Sequence, residues 1–197
     1  MIRTRLLISS ALCMSVLLSL YGCAHSDKQE KNLLAVNTSS FATAAPSYPD
    51  DKDKRFGYFP NNRPATGKWA FIFDPNHTSW AAYNEYGELV NVGRASGGSD
   101  FCPDVGRPCR TITGKFKILL KKGADCESSI YPIETNGGAP MPYCMFFSAM
   151  GYAIHGSYDV PDYNASHGCI RVTPNDAEWL SENLSTGSTV MVLPYHS

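Results

Sequence analysis

From about Lys68 onward the chain consists of short apolar runs separated by Gly, Asn and Pro. This pattern limits the possible folds more than any other feature of the sequence. Short runs rich in β-branched and aromatic side chains favour strands over helices. The predicted strands are Trp69–Phe73, Ser79–Tyr83, Leu89–Val92, Lys115–Leu120, Met145–Phe147, Tyr152–Ile154 and Thr189–Leu193, with a turn over Glu85–Glu88. Short strands at this spacing are typical of a β-sandwich or small barrel.

One segment near the C-terminus predicts a helix instead. Thr173 is a suitable N-cap, Pro174 fits the first turn, and Gly187 lies just beyond the expected end. The apolar face of this helix would consist of Ala177, Leu180 and Leu184. The sequence therefore predicts a mainly β fold with a minor helical part.

The N-terminus has the pattern of a secretory signal. Two arginines lie within Met1–Arg5, and an apolar stretch follows over Leu6–Leu20. That stretch has about 15 residues, fewer than the roughly 20 that a membrane-spanning helix needs. We therefore expect residues 1–22 to be a cleaved signal peptide of the lipoprotein type.

The end of this leader resembles a bacterial lipobox. In Leu20-Tyr21-Gly22-Cys23 a small residue precedes a cysteine, so Cys23 is the expected site of lipidation. Plain cleavage, with Cys23 as an ordinary thiol, stays open because Tyr21 is bulkier than the usual residue. Ala24 after the cysteine resembles outer-membrane sorting in a Gram-negative cell. The prediction is a membrane-anchored lipoprotein of the bacterial cell envelope, on the periplasmic side.

Residues 23–66 are expected to form a lipid-anchored flexible tether. The segment is rich in Ser, Ala and Pro, carries alternating charges over Asp50–Arg55, and lacks a sustained apolar period. The predicted folded domain occupies residues 67–197. The formal net charge is −1 and no basic block occurs, so nucleic acid is not an expected partner.

Cysteine counting singles out one thiol. Of 7 cysteines, Cys13 lies in the leader and Cys23 is the expected lipidation site, which leaves an odd number in the rest of the chain. In an oxidising compartment an odd count leaves at least one thiol reduced, unless it pairs between chains. The disulfide candidates are Cys102, Cys109, Cys126 and Cys144. Pairing of sequence neighbours is favoured, although four cysteines allow three connectivities, and Cys169 is the expected free thiol.

A metal site is the main alternative use of these side chains. Cys144, Cys169, His155 and His167 include ligand types that zinc accepts. No short Cys-x-x-Cys or His-x-x-x-His clamp supports such a site, so we predict no metal.

The free thiol and two histidines suggest nucleophilic catalysis. A thiol attacks a carbonyl as thiolate, and an imidazole can accept its proton and return it to a leaving amine. His155 follows the apolar strand Met150–Ile154, which would hold it firmly, so it is the preferred base. His167 lies two residues from Cys169 and fits a scaffolding role better. The alternative, that both histidines only satisfy backbone groups, stays open.

Residues around the thiol suggest further roles. Gly168 permits a tight turn, so its N–H and that of Cys169 are candidates for an oxyanion hole. Arg171 offers a planar cation that suits either a substrate carboxylate or a structural ion pair, and both roles stay open.

The string Ser166-His167-Gly168-Cys169-Ile170-Arg171, downstream of His155-Gly156-Ser157, resembles the L,D-transpeptidases of the YkuD family. Arg110–Phe116, the pair Asp176 and Leu180, and Gly187–Val190 are similar to other parts of that family. The resemblance covers about Lys68 to Pro194 and implies a YkuD-like β-sandwich or barrel. One departure is the segment Ser157–Ala165, which is shorter than in many members.

The resemblance also implies roles for individual residues. Cys169 would be the nucleophile and His155 the general base, with Ser157 or its backbone carbonyl orienting that base. Ser166, His167 and Gly168 would shape the site and the oxyanion hole. Arg171 would bind or brace the donor substrate. No metal or organic cofactor is implied.

The implied donor is a peptidoglycan tetrapeptide stem. Cys169 would attack the L-centre carbonyl of the third residue and expel the terminal D-Ala. An amine on another stem, or on a wall-attached acceptor protein, would then resolve the thioester. Two other functions stay open: a peptidoglycan hydrolase of the same fold, acting as L,D-carboxypeptidase or endopeptidase, and a non-catalytic wall-binding lipoprotein.

Overall fold

The computed structural model of the chain describes residues 58–196, which form two β-sheets and one α-helix. The strands are β1 Ala70–Asp74, β2 Ser79–Tyr83, β3 Leu89–Arg94, β4 Gly114–Lys117, β5 Leu120–Lys121, β6 Met145–Phe146, β7 Ala153–Gly156, β8 Ile170–Val172 and β9 Thr189–Val192. Helix α1 spans Pro174–Asn183, and a short 3-10 turn spans Ile133–Thr135. The predicted mainly β fold with a minor helical part is confirmed.

The larger sheet has the strand order β3-β2-β1-β9-β4. Strands β1 and β2 form an antiparallel hairpin in which Ala70 lies opposite Tyr83 and Asp74 opposite Ser79. Strand β9 pairs in parallel with β1 and antiparallel with β4, which brings the C-terminal strand into the middle of the sheet.

The smaller sheet has the order β5-β6-β7-β8 and carries the site residues. Strands β7 and β8 are parallel, with Ile154 opposite Ile170 and His155 opposite Arg171. The sequence analysis did not predict β8. This strand has only three residues, of which Arg171 interrupts the apolar run, so its pairing depends on a neighbour distant in the sequence.

The predicted strand Lys115–Leu120 is wrong as a single element. The Ile118 N–H donates to the Ser188 carbonyl at 3.0 Å, whereas the next residue, Leu119, donates to the Phe146 carbonyl at 2.7 Å. The chain therefore leaves the larger sheet after β4 and joins the smaller sheet at β5. An alternating pattern cannot reveal this change, because both halves keep an extended backbone.

The main core lies between the two sheets and the helix. Its largest buried side chains include Phe71, Phe73, Trp80, Phe147 and Leu180. Each side chain of this kind contributes about 1.5 to 3 kcal/mol when fully buried. Helix α1 begins as predicted: the Thr173 hydroxyl accepts a hydrogen bond from the Asp176 N–H at 3.2 Å, and Pro174 is the first helical residue.

A second, smaller core covers the outer face of the larger sheet. Phe59 is 5% exposed and packs with Ile72, Ala81 and Tyr83. The Arg63 N–H also donates to the Gly87 carbonyl at 2.7 Å. The end of the predicted tether is therefore corrected, because the residues from Phe59 to Arg63 pack as part of the folded domain.

The predicted signal peptide, the predicted lipidation site Cys23 and the predicted tether upstream of Tyr58 lie outside the described residues. Within residues 58–196, no helix has the length and apolar character needed to span a membrane.

Candidate active site

The parallel pairing of β7 and β8 brings the predicted site residues together. Ile154 and Ile170 lie opposite each other with their side chains in the core. Because side chains alternate along a strand, His155 and Arg171 point to the opposite face. Cys169 immediately precedes β8 on that same face. All three line a cavity of about 400 Å³, together with Ser157, Ser166 and His167.

His155 is held as a neutral imidazole. Its Nδ1 lies 2.9 Å from the Gly156 carbonyl oxygen, which can only accept, so Nδ1 carries the proton and the Nε2 lone pair is left free. Burial lowers the pKa of His155 to about 4, the Gly156 bond opposes that shift, and the Arg171 charge adds to it. At neutral pH His155 can therefore accept a proton.

The orienting role assigned to Ser157 is corrected. The carbonyl that fixes the His155 ring is that of Gly156, the residue adjacent to the histidine. The Ser157 hydroxyl instead donates to the Asp159 carbonyl at 3.1 Å and accepts from the Asp159 N–H, as in a local serine turn. Ser157 contributes to the cavity wall.

Cys169 is the free cysteine of the described residues. Its thiol lies 3.7 Å from the Gly151 carbonyl oxygen. Burial raises the pKa of Cys169, while a hydrogen bond from the Ala153 backbone and the Arg171 charge act in the opposite direction. With a neutral imidazole and a raised thiol pKa, the resting pair is thiol and imidazole rather than thiolate and imidazolium.

Ser166 organises the turn that presents this thiol. Its hydroxyl donates to the Cys169 carbonyl at 2.5 Å and accepts from the Gly168 N–H at 3.0 Å. Gly168 has φ +128°, and a Cβ at this position would lie 2.6 Å from the Tyr152 ring, so glycine is required. In the free protein the Gly168 N–H is bonded to the Ser166 hydroxyl, and its role in an oxyanion hole stays a prediction.

His167 turns toward the neighbouring loops. Its Nε2 lies 2.7 Å from Oδ2 of Asp104, and its ring stacks on Tyr131 with the centroids 4.3 Å apart. These contacts support the scaffolding role rather than that of the base.

Arg171 makes an ion pair at the edge of the cavity. Its Nη1 lies 2.8 Å from Oδ2 of Asp159, whose side chain is 75% exposed. The backbone of Arg171 is fixed on its other side by two hydrogen bonds with Ser96. A guanidinium held by a single exposed carboxylate retains free N–H donors.

The cysteines pair as sequence neighbours. The structure contains the disulfides Cys102–Cys109 and Cys126–Cys144. Cys144 is therefore not available for the alternative zinc site. Cys102, Asp104 and His167 also bring ligand atoms within 4.8 Å of one another, but a disulfide sulfur is not a thiolate ligand.

Burial of neutral His155 predicts an acid-sensitive fold. Because the pKa of His155 falls from 6.5 to about 4 on folding, the unfolded chain binds more protons between those values. Stability is therefore unaffected by this group above pH 6.5 and is lost as the pH falls toward 4. We expect a loss of roughly 2 to 3 kcal/mol between pH 7 and pH 4.5 from this residue. Urea unfolding of the wild type and His155→Gln at both pH values measures it, and an equal loss in the variant would contradict this origin.

Four contributors to the site escaped the sequence analysis: Gly156, Asp104, Tyr131 and Asp159. The role of Gly156 could have been predicted, because its carbonyl is adjacent in sequence to His155. Asp104 and Tyr131 lie inside the cysteine-closed loops, and no local pattern indicates which loop residue reaches the histidine.

A cysteine thiol and a neutral imidazole thus line one cavity, the imidazole on β7 and the thiol directly before the parallel strand β8. Residues 67–192 match the family described as YkuD, the L,D-transpeptidase catalytic domain. The chain therefore belongs to this L,D-transpeptidase family, as the motifs suggested.

Solved structures agree with this assignment. An L,D-transpeptidase from Xylanimonas cellulosilytica is similar with 29% identity and a TM-score of 0.56, covering 70% of this chain and 65% of that one. L,D-transpeptidase 3 from Mycobacterium tuberculosis shares the fold at 21% identity and a TM-score of 0.53, covering 64% and 61%. The chain thus spans less than two thirds of these solved chains. No curated protein matches the sequence.

Proposed function

We propose that the protein is a cysteine-dependent L,D-transpeptidase acting on peptidoglycan tetrapeptide stems. The observation that carries the proposal is that reduced Cys169 and neutral His155 line one cavity, with His155 on β7 and Cys169 directly before the adjacent strand β8. Membership of the family supports the reaction class.

The first half-reaction uses the proton state of the resting pair. The His155 Nε2 accepts the thiol proton as Cys169 Sγ attacks the L-centre carbonyl of the third stem residue. The Cys169 N–H stabilises the oxyanion of the tetrahedral intermediate, and the Gly168 N–H, bonded to Ser166 in the free protein, is the second predicted donor. Collapse breaks the bond to D-Ala, and His155 returns the proton to the leaving amine. A thioester at Cys169 results.

The second half-reaction repeats these roles with a different nucleophile. An acceptor amine attacks the thioester, His155 removes its proton, and Cys169 leaves as the thiol. The acceptor is the side-chain amine of another stem, which gives a 3-3 crosslink, or an amine of a wall-attached protein.

Arg171 has two functions in this scheme. Its charge lowers the pKa of both Cys169 and His155, so it favours the thiolate and disfavours the imidazolium. Its guanidinium donors also suit a substrate carboxylate. In the free protein the exposed carboxylate of Asp159 binds this guanidinium instead.

The cavity lining fits a stem peptide, which carries several carboxylates and an amine. Arg107, Lys122 and Arg171 provide cations, and Glu127 provides an anion. Charge complementarity of this kind orients a polar substrate.

The location of the protein is part of the same proposal. The leader and Cys23 support export and a lipid anchor on the periplasmic side of the bacterial envelope, at the outer membrane in a Gram-negative cell. Such an anchor would confine the domain near its substrate and raise its effective concentration there.

Product analysis tests this function. The purified full-length protein in detergent is incubated with disaccharide-tetrapeptide, and the products are followed by mass spectrometry. We expect crosslinked dimer together with free D-Ala. Free D-Ala with only tripeptide product would replace the transpeptidase with a carboxypeptidase of the same fold. No product in the wild type would contradict the catalytic function and favour a wall-binding protein.

A further inference from the structure

We propose that His167 acts as a clasp, meaning a side chain that joins both disulfide-closed loops to the nucleophile turn Ser166–Cys169. Asp104 is the positioning residue that holds the His167 side chain. The first loop is Cys102–Cys109 and the second is Cys126–Cys144. This inference rests on the proposed function, because it assigns the clasp a purpose in presenting Cys169 to substrate.

The first loop is attached directly behind the nucleophile turn. Cys102 Sγ lies 3.8 Å from the Ser166 carbonyl oxygen, and the same oxygen accepts a hydrogen bond from the Ser99 N–H at 2.8 Å. A Cβ on Gly98 would lie 1.9 Å from the Cys109 carbonyl oxygen, so the backbones approach too closely for any other residue. The base of this loop is therefore fixed relative to the turn.

The tip of the first loop returns to the site through Asp104. The Gly106 N–H donates to the Cys102 carbonyl at 2.9 Å, which folds the loop tightly and holds Asp104 near its tip. His167 Nε2–H donates to the Asp104 carboxylate at 2.7 Å. The hydrogen bond from His167 helps to hold the pKa of the Asp104 carboxyl below its usual range, against the opposing effect of desolvation. The carboxylate is thus an acceptor across the working pH range.

The second loop meets the other side of the same imidazole. Tyr131 stacks on the His167 ring with an interplanar angle of 30°. The Ser128 hydroxyl accepts from the Tyr131 N–H at 2.9 Å, and the Tyr131 carbonyl accepts from the Ala139 N–H at 2.9 Å, so Tyr131 is anchored within its loop. Glu127, Ser128 and Tyr131 also line the cavity. The His167 side chain therefore contacts both loops, and His167 directly precedes Gly168 and Cys169 in the nucleophile turn.

The purpose of the clasp follows from this connection. Removing it leaves the fold intact, because Asp104 and His167 are both partly exposed and lie outside the core. Loss of the clasp frees the second loop, Cys126–Cys144, and the nucleophile turn to move relative to each other. Displacements of about 1 Å in a catalytic site can cost up to about 100-fold in rate.

Asp104→Ala tests the clasp in the full-length protein, with Asp100→Ala as the matched control. Asp100 is an exposed aspartate close to the same loop, and it pairs with Arg110 at 2.7 Å outside the cavity. We expect Asp104→Ala to lower kcat/KM about tenfold, whereas Asp100→Ala leaves it unchanged. Asp104→Asn, whose side-chain oxygen still accepts from His167, should recover most of the loss. Where the wild type is active, equal activity of Asp104→Ala and Asp100→Ala, or no recovery in Asp104→Asn, would overturn the proposal.

Two readouts do not depend on turnover. Hydrogen exchange should become faster over 128–131 and 166–168 in Asp104→Ala and stay at the wild-type rate in Asp100→Ala. Alkylation of Cys169 by iodoacetamide should become several-fold faster, because the walls of the cavity open. Should the wild type lack transpeptidase activity while these changes occur, the clasp stands and the proposed function fails. Unchanged exchange and alkylation would refute the clasp, whatever the activity.

Discussion

Replacing Cys169 with alanine should reduce the release of D-Ala from a tetrapeptide stem by at least about 10⁴-fold, because the variant has no group that can form the thioester. The substitution removes one sulfur from a partly buried side chain at the edge of a small cluster and outside the main core, so folding should be retained. The rate of D-Ala release, measured beside thermal unfolding of the same samples, checks both statements.

Cys169→Ser is the matched control for this variant. It keeps the size and a nucleophilic oxygen, yet a hydroxyl is far less acidic than a thiol, and the described residues give His155 no carboxylate partner that would strengthen it as a base. We expect Cys169→Ser to be nearly as inactive as Cys169→Ala. Substantial D-Ala release by Cys169→Ala would show that a different group carries the reaction.

The second large effect concerns the base. His155→Gln should lower kcat/KM by about 10³-fold at pH 7, within the range that general base catalysis contributes. In the wild type the acid limb of kcat/KM should lie near pH 4, where the buried imidazole takes up a proton. In the variant that limb should disappear, and the residual rate should rise with pH toward the raised pKa of Cys169, because only the thiolate then attacks.

The pH profile separates a base from a structural histidine. A purely structural His155 would lower the rate on substitution without changing the shape of the profile. Retention of the acid limb in His155→Gln would therefore contradict its role as base. Asp100→Ala provides a surface comparison, since the exposed Asp100 pairs with Arg110 at 2.7 Å outside the cavity.

Much of the fold could be predicted where local chemistry decides the structure. The N-cap Thr173 and the following Pro174 determine where α1 begins, and the aromatic run of β1 determines a buried strand. Strand β8 could not be predicted, because its three residues are extended only through pairing with β7. The break after Lys117 was missed for a related reason, since only the partners of Ile118 and Leu119 reveal that the chain changes sheets.

The site was more predictable in its residue types than in its hydrogen bonds. The odd cysteine and the two histidines indicated Cys169, His155 and His167, and the structure places all three at one cavity. The sequence could not show that Ser166 occupies the Gly168 N–H, because the serine bonds forward across a turn whose shape depends on the fold. The hydrogen-bond partner of His155 was predicted at Ser157, whereas the structure has the Gly156 carbonyl. Every residue has a backbone carbonyl, so residue type does not indicate which one bonds the imidazole.

Intact-protein mass spectrometry of the reacting enzyme tests whether Cys169 forms the thioester. The full-length protein is quenched in acid shortly after mixing with disaccharide-tetrapeptide, and peptide mapping locates any adduct. We expect an adduct with the mass of the stem lacking its terminal D-Ala, attached to Cys169 and absent from Cys169→Ala. Release of D-Ala without an adduct on Cys169, or with the adduct on another residue, would contradict it.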